Sequence, residues 1–251
     1  MPMAAAPPPS ASPASPGWHR FTTAEVVDGP AVVTYGADLP TEADLRLLGP
    51  VEGARVLDLG CGSGHNAVTL AQQGAKVIAV DPSAAHLALA RERAERAEVR
   101  VELHQAGLAE LAFLRSDSVD AALSVMALAT ADDVARVFRQ VHRVLKPEAA
   151  FVCSFPHPAF AMFDPTAADP LRVARPYDQS APISWDLGPD VVTDHPRTVG
   201  ELFTALHRAS FVVDQVLEPT APARGAHSST FTDAMVAVPA TLILRGRKQG
   251  N

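Results

Sequence analysis

A loop of three closely spaced glycines and two acids, all within residues 55–81, have the types and spacing of a nucleoside-binding site. The stretch reads RVLDLGCGSGHNAVTLAQQGAKVIAVD; its loop contains Gly60, Gly62 and Gly64, Asp58 precedes the loop, and Asp81 ends the stretch. Glycines let a backbone approach a ligand closely, and the start of a following helix offers free N–H groups. The stretch therefore predicts a loop that holds a nucleoside or a nucleotide.

The same residues discriminate between two kinds of ligand. The dinucleotide fingerprint is G-x-G-x-x-G, and this loop has His65 where the third glycine belongs. A carboxylate at Asp58 repels a pyrophosphate but suits a cationic amine. Asp81 lies about 20 residues after Gly60, where an acid accepts hydrogen bonds from ribose hydroxyls. These features favour a nucleoside with a positive group and no pyrophosphate, and S-adenosylmethionine is such a ligand.

The elements that must position these residues alternate between strands and helices. Apolar runs of strand length occupy residues 55–59, 76–80, 119–128 and 149–155, and segments with helical spacing of apolar residues separate them. This alternation predicts an α/β fold in which helices cover both faces of a parallel sheet. Ligands of such sheets bind beyond the carboxyl ends of the strands, which is where the loop after the first strand lies.

Several motifs together carry a resemblance to a known family. VLDLGCGSG followed by VIAVDPS closely resembles motif I and the second-strand acid of class I S-adenosylmethionine-dependent methyltransferases. The resemblance extends from about Tyr35 to the C-terminus, and HPRTVGELFTALHRASFVVDQVLEP is similar to the later helix and strand of the small-molecule branch. It implies a Rossmann-like three-layer sandwich with a seven-stranded, mostly parallel sheet whose last strand is antiparallel.

The resemblance also implies which residues contact the cofactor. Asp58 would lie near the methionine amino group and Asp81 near the ribose, with Gly60 and Gly62 as close-approach glycines. Pro82 would lie against the adenine, the Tyr35 hydroxyl would reach the cofactor carboxylate, and backbone contacts would come from Cys61, Leu108, Ser124 and Val125. Helix capping, core packing or a surface loop are the alternative roles for these residues. The sequence departs from the family after the third strand, where AGLAEL lacks the acid that receives the adenine amino group.

Two histidines and two aromatic residues are the candidates on the acceptor side. His157 in FPHPAF follows the fifth strand, and His195 lies in TDHPRT. Either is a candidate general base, which methyl transfer needs only when the nucleophile must lose a proton of high pKa. Tyr177 and Trp185 either line an apolar pocket or anchor the loop that carries them.

Composition and charge set the organisation of the chain. Its 251 residues are 47% hydrophobic, with a formal net charge of -7 that disfavours nucleic acid as a partner. We predict a disordered tail at 1–17, a cap segment at 18–48 and a methyltransferase domain at 49–248 with a substrate-loop insert at 156–197.

The two cysteines suggest neither a metal site nor a disulfide and fit a cytoplasmic protein, and no apolar run reaches the length of a membrane span. The oligomeric state stays open.

The sequence therefore predicts a methyltransferase that uses S-adenosylmethionine to methylate a small molecule by in-line displacement. It does not choose among oxygen, nitrogen, carbon and sulfur acceptors. Two alternatives remain: a module of the same fold that binds the cofactor without methyl transfer, and a nicotinamide-dependent oxidoreductase.

Overall fold

A seven-stranded sheet forms the centre of the computed structural model, which describes residues 31–164, 169, 171–186, 191–228 and 230–250. The predicted tail at 1–17 lies outside the described residues. The strands in chain order are β1 Arg55–Leu59, β2 Lys76–Asp81, β3 Val101–Gln105, β4 Val119–Val125, β5 Leu145–Pro156, β6 Ile183–Asp186, β7 Val191–Asp194, β8 Phe211–Leu217 and β9 Thr241–Lys248. Their order in the central sheet is β3-β2-β1-β4-β5-β9-β8, and β9 is antiparallel to both neighbours. The predicted fold class, including the antiparallel last strand, is confirmed.

Helices cover both faces of this sheet. They are α1 Glu42–Leu45, α2 His65–Gln72, α3 Ala84–Arg96, α4 Val134–Val144, α5 Pro158–Ala161, α6 Val199–Arg208 and α7 Ala234–Ala237, with a 3-10 turn at Ala127–Thr130. Two apolar clusters result, one on each face, because successive strand residues point to opposite sides. None of the described helices has both the length and the apolar character to cross a bilayer.

The strand order reverses between β1 and β4, which opens a crevice at their carboxyl ends. The chain runs from β1 outward to β2 and β3, then returns to β4 on the other side of β1. Met126, directly after β4, has a φ of 61°, a conformation that non-glycine residues rarely adopt. The crevice is the place where open α/β sheets bind ligands, and the glycine loop borders it.

The part of the cap segment that the structure describes packs tightly against the domain. Val33 and Tyr35 are fully buried in the same apolar cluster as Leu47. The Asn66 amide at the start of α2 accepts a hydrogen bond from the Thr34 N–H at 3.0 Å and donates one to the Thr34 carbonyl at 2.9 Å. These contacts pin the segment beside the glycine loop.

The insert at 156–197 contains more regular structure than its Pro- and Asp-rich sequence indicates. After α5, β6 and β7 form an antiparallel pair separate from the central sheet. The Arg197 guanidinium donates to the carbonyls of His195, Ala131 and Asp132. This side chain ties the end of the insert to the exit of the 3-10 turn.

Candidate functional site

The glycine loop directs its N–H groups inward, toward β2. The N–H groups of Gly60 and Cys61 donate to the Val80 carbonyl at 2.7 and 3.1 Å, and that of Gly62 donates to Asp81 Oδ2 at 2.9 Å. The Gly64 N–H donates to the Cys61 carbonyl at 2.9 Å. A pyrophosphate needs such groups free, because oriented N–H groups are what bind its charge. These internal hydrogen bonds therefore stabilise the conformation of the loop beside Asp58 and Asp81.

Asp58 supplies a buried carboxylate with spare capacity for a cation. Its side chain, near the end of β1, is 2% exposed, and its Oδ2 atom has no hydrogen-bond partner among the described residues. Burial and the neighbouring Asp81 carboxylate raise the pKa of Asp58 to about 7, although the Ala67 N–H in the first turn of α2 offsets part of the rise. A positive group next to Oδ2 would remove this penalty.

Asp81 organises the loop as well as facing the crevice. Its Oδ1 atom accepts from the Ser83 N–H at 2.9 Å and lies 3.3 Å from the His86 Nδ1, while its Oδ2 holds Gly62. A carboxylate has about four acceptor positions, so these contacts leave capacity for a ribose hydroxyl. The interpretation of the sequence did not identify His86, which lies in the first turn of α3.

Gly60 is required by close packing within the protein. It has a φ of 75°, and a Cβ atom placed on it would lie 2.1 Å from the Ala127 Cβ of the 3-10 turn. The Leu108 side chain would lie 3.5 Å from the same point. The close approach expected for this glycine is thus made to the turn after β4, and Leu108 is brought to the edge of the loop.

Comparisons with known proteins agree with this geometry. A family model described as a methyltransferase domain matches residues 56–148. The chain is 31% identical to a magnesium-protoporphyrin O-methyltransferase of Rhodobacter capsulatus, over 57% of this chain and 68% of the relative. It is 30% identical, with a TM-score of 0.63, to the crystal structure of an S-adenosylmethionine dependent methyltransferase from Mesorhizobium loti, over 81% of this chain and 95% of that one. The chain belongs to the class I S-adenosylmethionine-dependent methyltransferases.

A further relative matches less than half of the chain. The methyltransferase is 32% identical to a ubiquinone biosynthesis O-methyltransferase of Azorhizobium caulinodans over 44% of each chain. It thus spans less than half of that relative's length.

The cofactor of the family, S-adenosylmethionine, suits the residues present. The unpaired Asp58 oxygen is chemically matched to an ammonium group, and the Asp81 carboxylate to ribose hydroxyls. The N–H groups of Gly60, Cys61, Gly62 and Gly64 are occupied by acceptors within the protein, which disfavours the nicotinamide alternative. Membership of the methyltransferase family therefore excludes the nicotinamide-dependent oxidoreductase as the function of this chain.

The remaining predicted cofactor residues lie around the same crevice, with different exposures. Ser124 is fully buried and its hydroxyl donates to the Leu59 carbonyl at 2.7 Å, whereas Val125 is half-buried at the end of β4. Pro82 is exposed beside Asp81, and its carbonyl accepts from Gln105. Burial, and secondarily Asp58, raise the pKa of the Cys61 thiol, so this thiol is held protonated.

Tyr35 is placed differently from the expectation. Its hydroxyl donates to Glu42 Oε2 at 2.5 Å, and its side chain is fully buried. Glu42 also accepts the N–H groups of Leu47 and Leu48. The hydroxyl is thus engaged in holding the cap segment, and burial together with the bond to Glu42 raises its pKa. We do not include Tyr35 among the proposed cofactor contacts.

His157 lies at the expected edge, but the structure does not support its assignment as a general base. The side chain is 4% exposed and caps α5, with Nδ1 accepting the Ala159 N–H at 3.1 Å. Its Nε2 lies 2.8 Å from Glu218 Oε1. Since Nδ1 is the acceptor, Nε2 carries the proton and donates to the carboxylate. Neither nitrogen has a free lone pair for a substrate proton, which corrects the interpretation from sequence.

The other predicted acceptor-side residues are only partly placed near the crevice. The His195 N–H donates to the Ala129 carbonyl at 2.8 Å, so this half-buried residue lies against the 3-10 turn. Tyr177 is 41% exposed, and its hydroxyl accepts the Val199 N–H at 3.4 Å, which agrees with the anchoring alternative. Trp185 lies in β6, and its side chain is outside the described residues.

A cluster of contacts between the cap segment and the loop that joins β8 to β9 was not identified from the sequence. Asp38 of the cap segment contacts His227 and Ser228 in this loop, although about 190 residues separate them. No sequence motif marks these residues, since a solitary acid and a histidine in polar loops resemble surface positions. The fold alone brings them together.

Proposed function

We propose that this methyltransferase transfers the methyl group of S-adenosylmethionine to a small-molecule acceptor by in-line displacement. The observation that carries the proposal is the Asp58 carboxylate, which is buried beside the glycine loop and has one oxygen without a partner in the part of the chain that the structure describes. An uncompensated buried charge is costly, so its presence next to Asp81 is best explained by a cationic ligand.

The residues of the chain act by holding and orienting. Asp58 would bind the amino group of the cofactor, Asp81 the ribose, and the half-buried Leu108 and Val125 would flank it. When bound, the cofactor supplies an electrophilic methyl group on a sulfonium. The protein then has to align the acceptor and exclude water, which is the larger part of catalysis in such a displacement.

The acceptor side is formed by the cap segment, the insert and the loop between β8 and β9. These are the segments that approach the carboxyl ends of β4, β5 and β8, and loops on a fixed scaffold usually determine specificity. The curated relatives are named for ubiquinone and magnesium-protoporphyrin O-methylation, which supports a small-molecule acceptor. The net charge of -7 argues against a nucleic acid substrate. A cytoplasmic location stays a prediction.

Calorimetry tests the ligand class before any acceptor is known. We expect S-adenosylmethionine and S-adenosylhomocysteine to bind with similar affinity and NADH to give no binding heat. Turnover is then measured with a panel of phenols, thiols and amines, following S-adenosylhomocysteine release. Binding of the cofactor without turnover on any acceptor would favour the binding-module alternative, and tight NADH binding would contradict the proposal.

A further inference from the structure

His227, Asp38 and Phe231 form an ordered cluster that joins the cap segment to the loop between β8 and β9. The Asp38 carboxylate accepts the Ser228 N–H at 2.8 Å and the Ser228 hydroxyl at 2.6 Å, and its side chain is only 5% exposed. His227 Nδ1 lies 3.7 Å from Asp38 Oδ1. The His227 ring stacks on Phe231 with centroids 3.6 Å apart and an interplanar angle of 11°.

This cluster borders the crevice that holds the cofactor acids. A Cβ atom placed on Gly36, two residues before Asp38, would lie 3.2 Å from Met126 Cε and 3.0 Å from Thr241 Oγ1. Met126 follows β4 and Thr241 begins β9, so this segment crosses the carboxyl edge of the sheet. β4 is the direct neighbour of β1, which carries Asp58. The cluster thus lies on the edge where an acceptor must approach the cofactor.

The His227 ring turns its Nδ1 toward the Asp38 carboxylate. Nδ1 is buried and has no hydrogen-bond partner among the described residues, while the side chain as a whole is 20% exposed. A carboxylate on the Nδ1 side favours the tautomer with the proton on Nδ1, since the negative charge attracts that proton, and leaves Nε2 as the proton acceptor. His157 is the opposite case, because its Nδ1 already accepts a backbone N–H.

We propose that His227 is the catalytic base for an acceptor with an aromatic hydroxyl, and that Asp38 is its positioning residue. This inference rests on the proposed function. The hydroxyl proton passes to His227 Nε2, an oxygen lone pair forms the bond to the methyl carbon, and the S–CH₃ electron pair goes to sulfur. The positive charge of the sulfonium is thereby replaced by that of the imidazolium, so atoms and charge balance.

The chemistry of the cluster selects this class of acceptor. A base is needed when the nucleophile carries a proton that it must lose, which holds for a neutral hydroxyl. The stacked rings of His227 and Phe231 supply a flat wall suited to an aromatic acceptor, since aromatic rings pack well against one another.

The experiment compares catechol with 4-nitrocatechol, whose nitro group makes the hydroxyl far more acidic. Turnover is measured at about pH 8 for wild type and for His227→Gln and Asp38→Asn. We expect His227→Gln to lower the turnover number with catechol by about 10²–10⁴-fold and to lower that with the ionised nitrocatechol much less. Asp38→Asn should show the same split with a smaller loss, and the exposed His207→Gln in α6 serves as the control.

A second readout does not depend on turnover. Catechol added to the S-adenosylhomocysteine complex should shift the NMR signals of the His227 ring and leave those of His207 unchanged. Equal losses for both catechols, full activity of His227→Gln, or unshifted His227 signals would overturn the base role. Methylation of neither catechol by a wild type that binds the cofactor would overturn the acceptor class. Failure to bind S-adenosylmethionine would instead overturn the proposed function.

Discussion

At the scale of single residues, Asp58 is a buried carboxylate with one oxygen that has no partner among the described residues, and a cationic ligand would compensate its charge. Raising the pKa of Asp58 from its ordinary 3.8 to about 7 corresponds to about 4 kcal/mol of destabilisation of the charged form. The protein without ligand carries this cost because the same charge is needed for recognition. Binding and stability are therefore coupled through one side chain.

The substitution Asp58→Asn should stabilise the ligand-free protein. It removes the charge but leaves a buried amide that lacks one partner, at a cost of about 1–3 kcal/mol, so we expect a net gain of about 1–3 kcal/mol at high pH. The folded-state pKa lies above the unfolded one, so the wild-type penalty is absent below about pH 4, grows as the pH rises, and is complete above about pH 7. Urea unfolding at about pH 4 and about pH 8 measures the difference; a variant that is less stable at both values would contradict this account.

Asp81→Ala tests the ribose contact. Hydrogen bonds to a charged acceptor contribute about 1.5–3 kcal/mol each, so affinity for S-adenosylhomocysteine should fall at least about tenfold. The melting temperature should also fall, because Gly62 and Ser83 lose their acceptor. Calorimetry well below the melting temperature separates the two effects, with Glu92→Ala on the exposed face of α3 as the control. An unchanged dissociation constant would remove Asp81 from the ribose site.

The residues that could be predicted from sequence are those whose role depends on local order. Asp58 and Asp81 are fixed by adjacent strands and a short loop, so their positions relative to the glycines follow from the sequence itself. His157 was correctly predicted at the carboxyl edge, but the contact that occupies its Nε2 comes from Glu218, which directly follows β8 and is distant in sequence. Asp38 and His227 meet only through the fold, and no local pattern indicates such a contact.

At the scale of elements, the turn between β1 and α2 packs directly on the turn after β4. Gly60→Ala should therefore destabilise the protein in two ways: the left-handed φ costs about 1–2 kcal/mol, and the 2.1 Å contact with Ala127 adds an overpacking cost of about 1–3 kcal/mol. Gly53→Ala is a matched control, because Gly53 has a φ of 72° with nothing within 4 Å of an added Cβ. Unfolding free energies of the two variants isolate the packing cost, and equal losses would show that the contact relaxes freely.

The sequence predicts the regular elements well and the insert poorly. The segment of helical apolar spacing between the strand runs at 119–128 and 149–155 contains α4, and a capping box formed by Thr198 and Glu201 begins α6. The β6–β7 pair was not predicted, because its stability comes from pairing across a loop rather than from apolar periodicity. Strand β5 also begins earlier than predicted, at the buried Leu145, because exposed residues at 146–148 separate Leu145 from the apolar run that starts at Ala149.

At the scale of the whole molecule, the described part of the cap segment, residues 31–48, is an integral part of the domain. It buries Val33 and Tyr35 completely, is held by Asn66, and carries Asp38 across the carboxyl edge of the sheet. The predicted division into a cap at 18–48 and a domain at 49–248 separates residues that share one apolar cluster. Folding of the domain and closure of the site are therefore expected to depend on the same segment.

Two truncations separate the predicted tail from the cap. Removing residues 1–17 should leave the melting temperature and the affinity for S-adenosylhomocysteine unchanged, because the Pro-, Ala- and Ser-rich sequence has little apolar surface to bury. Removing residues 1–40 deletes two fully buried side chains and the Asp38 contact, so we expect a loss of several kcal/mol, since each large core side chain contributes about 2–5 kcal/mol. Differential scanning fluorimetry with and without S-adenosylhomocysteine measures both.

The double substitution Val33→Ala and Tyr35→Phe serves as an intermediate if the longer deletion does not fold, and it should lower the melting temperature with only a small effect on cofactor affinity. A clear loss from the shorter deletion would show that the tail docks, and an unaffected longer deletion would contradict the role given to the cap.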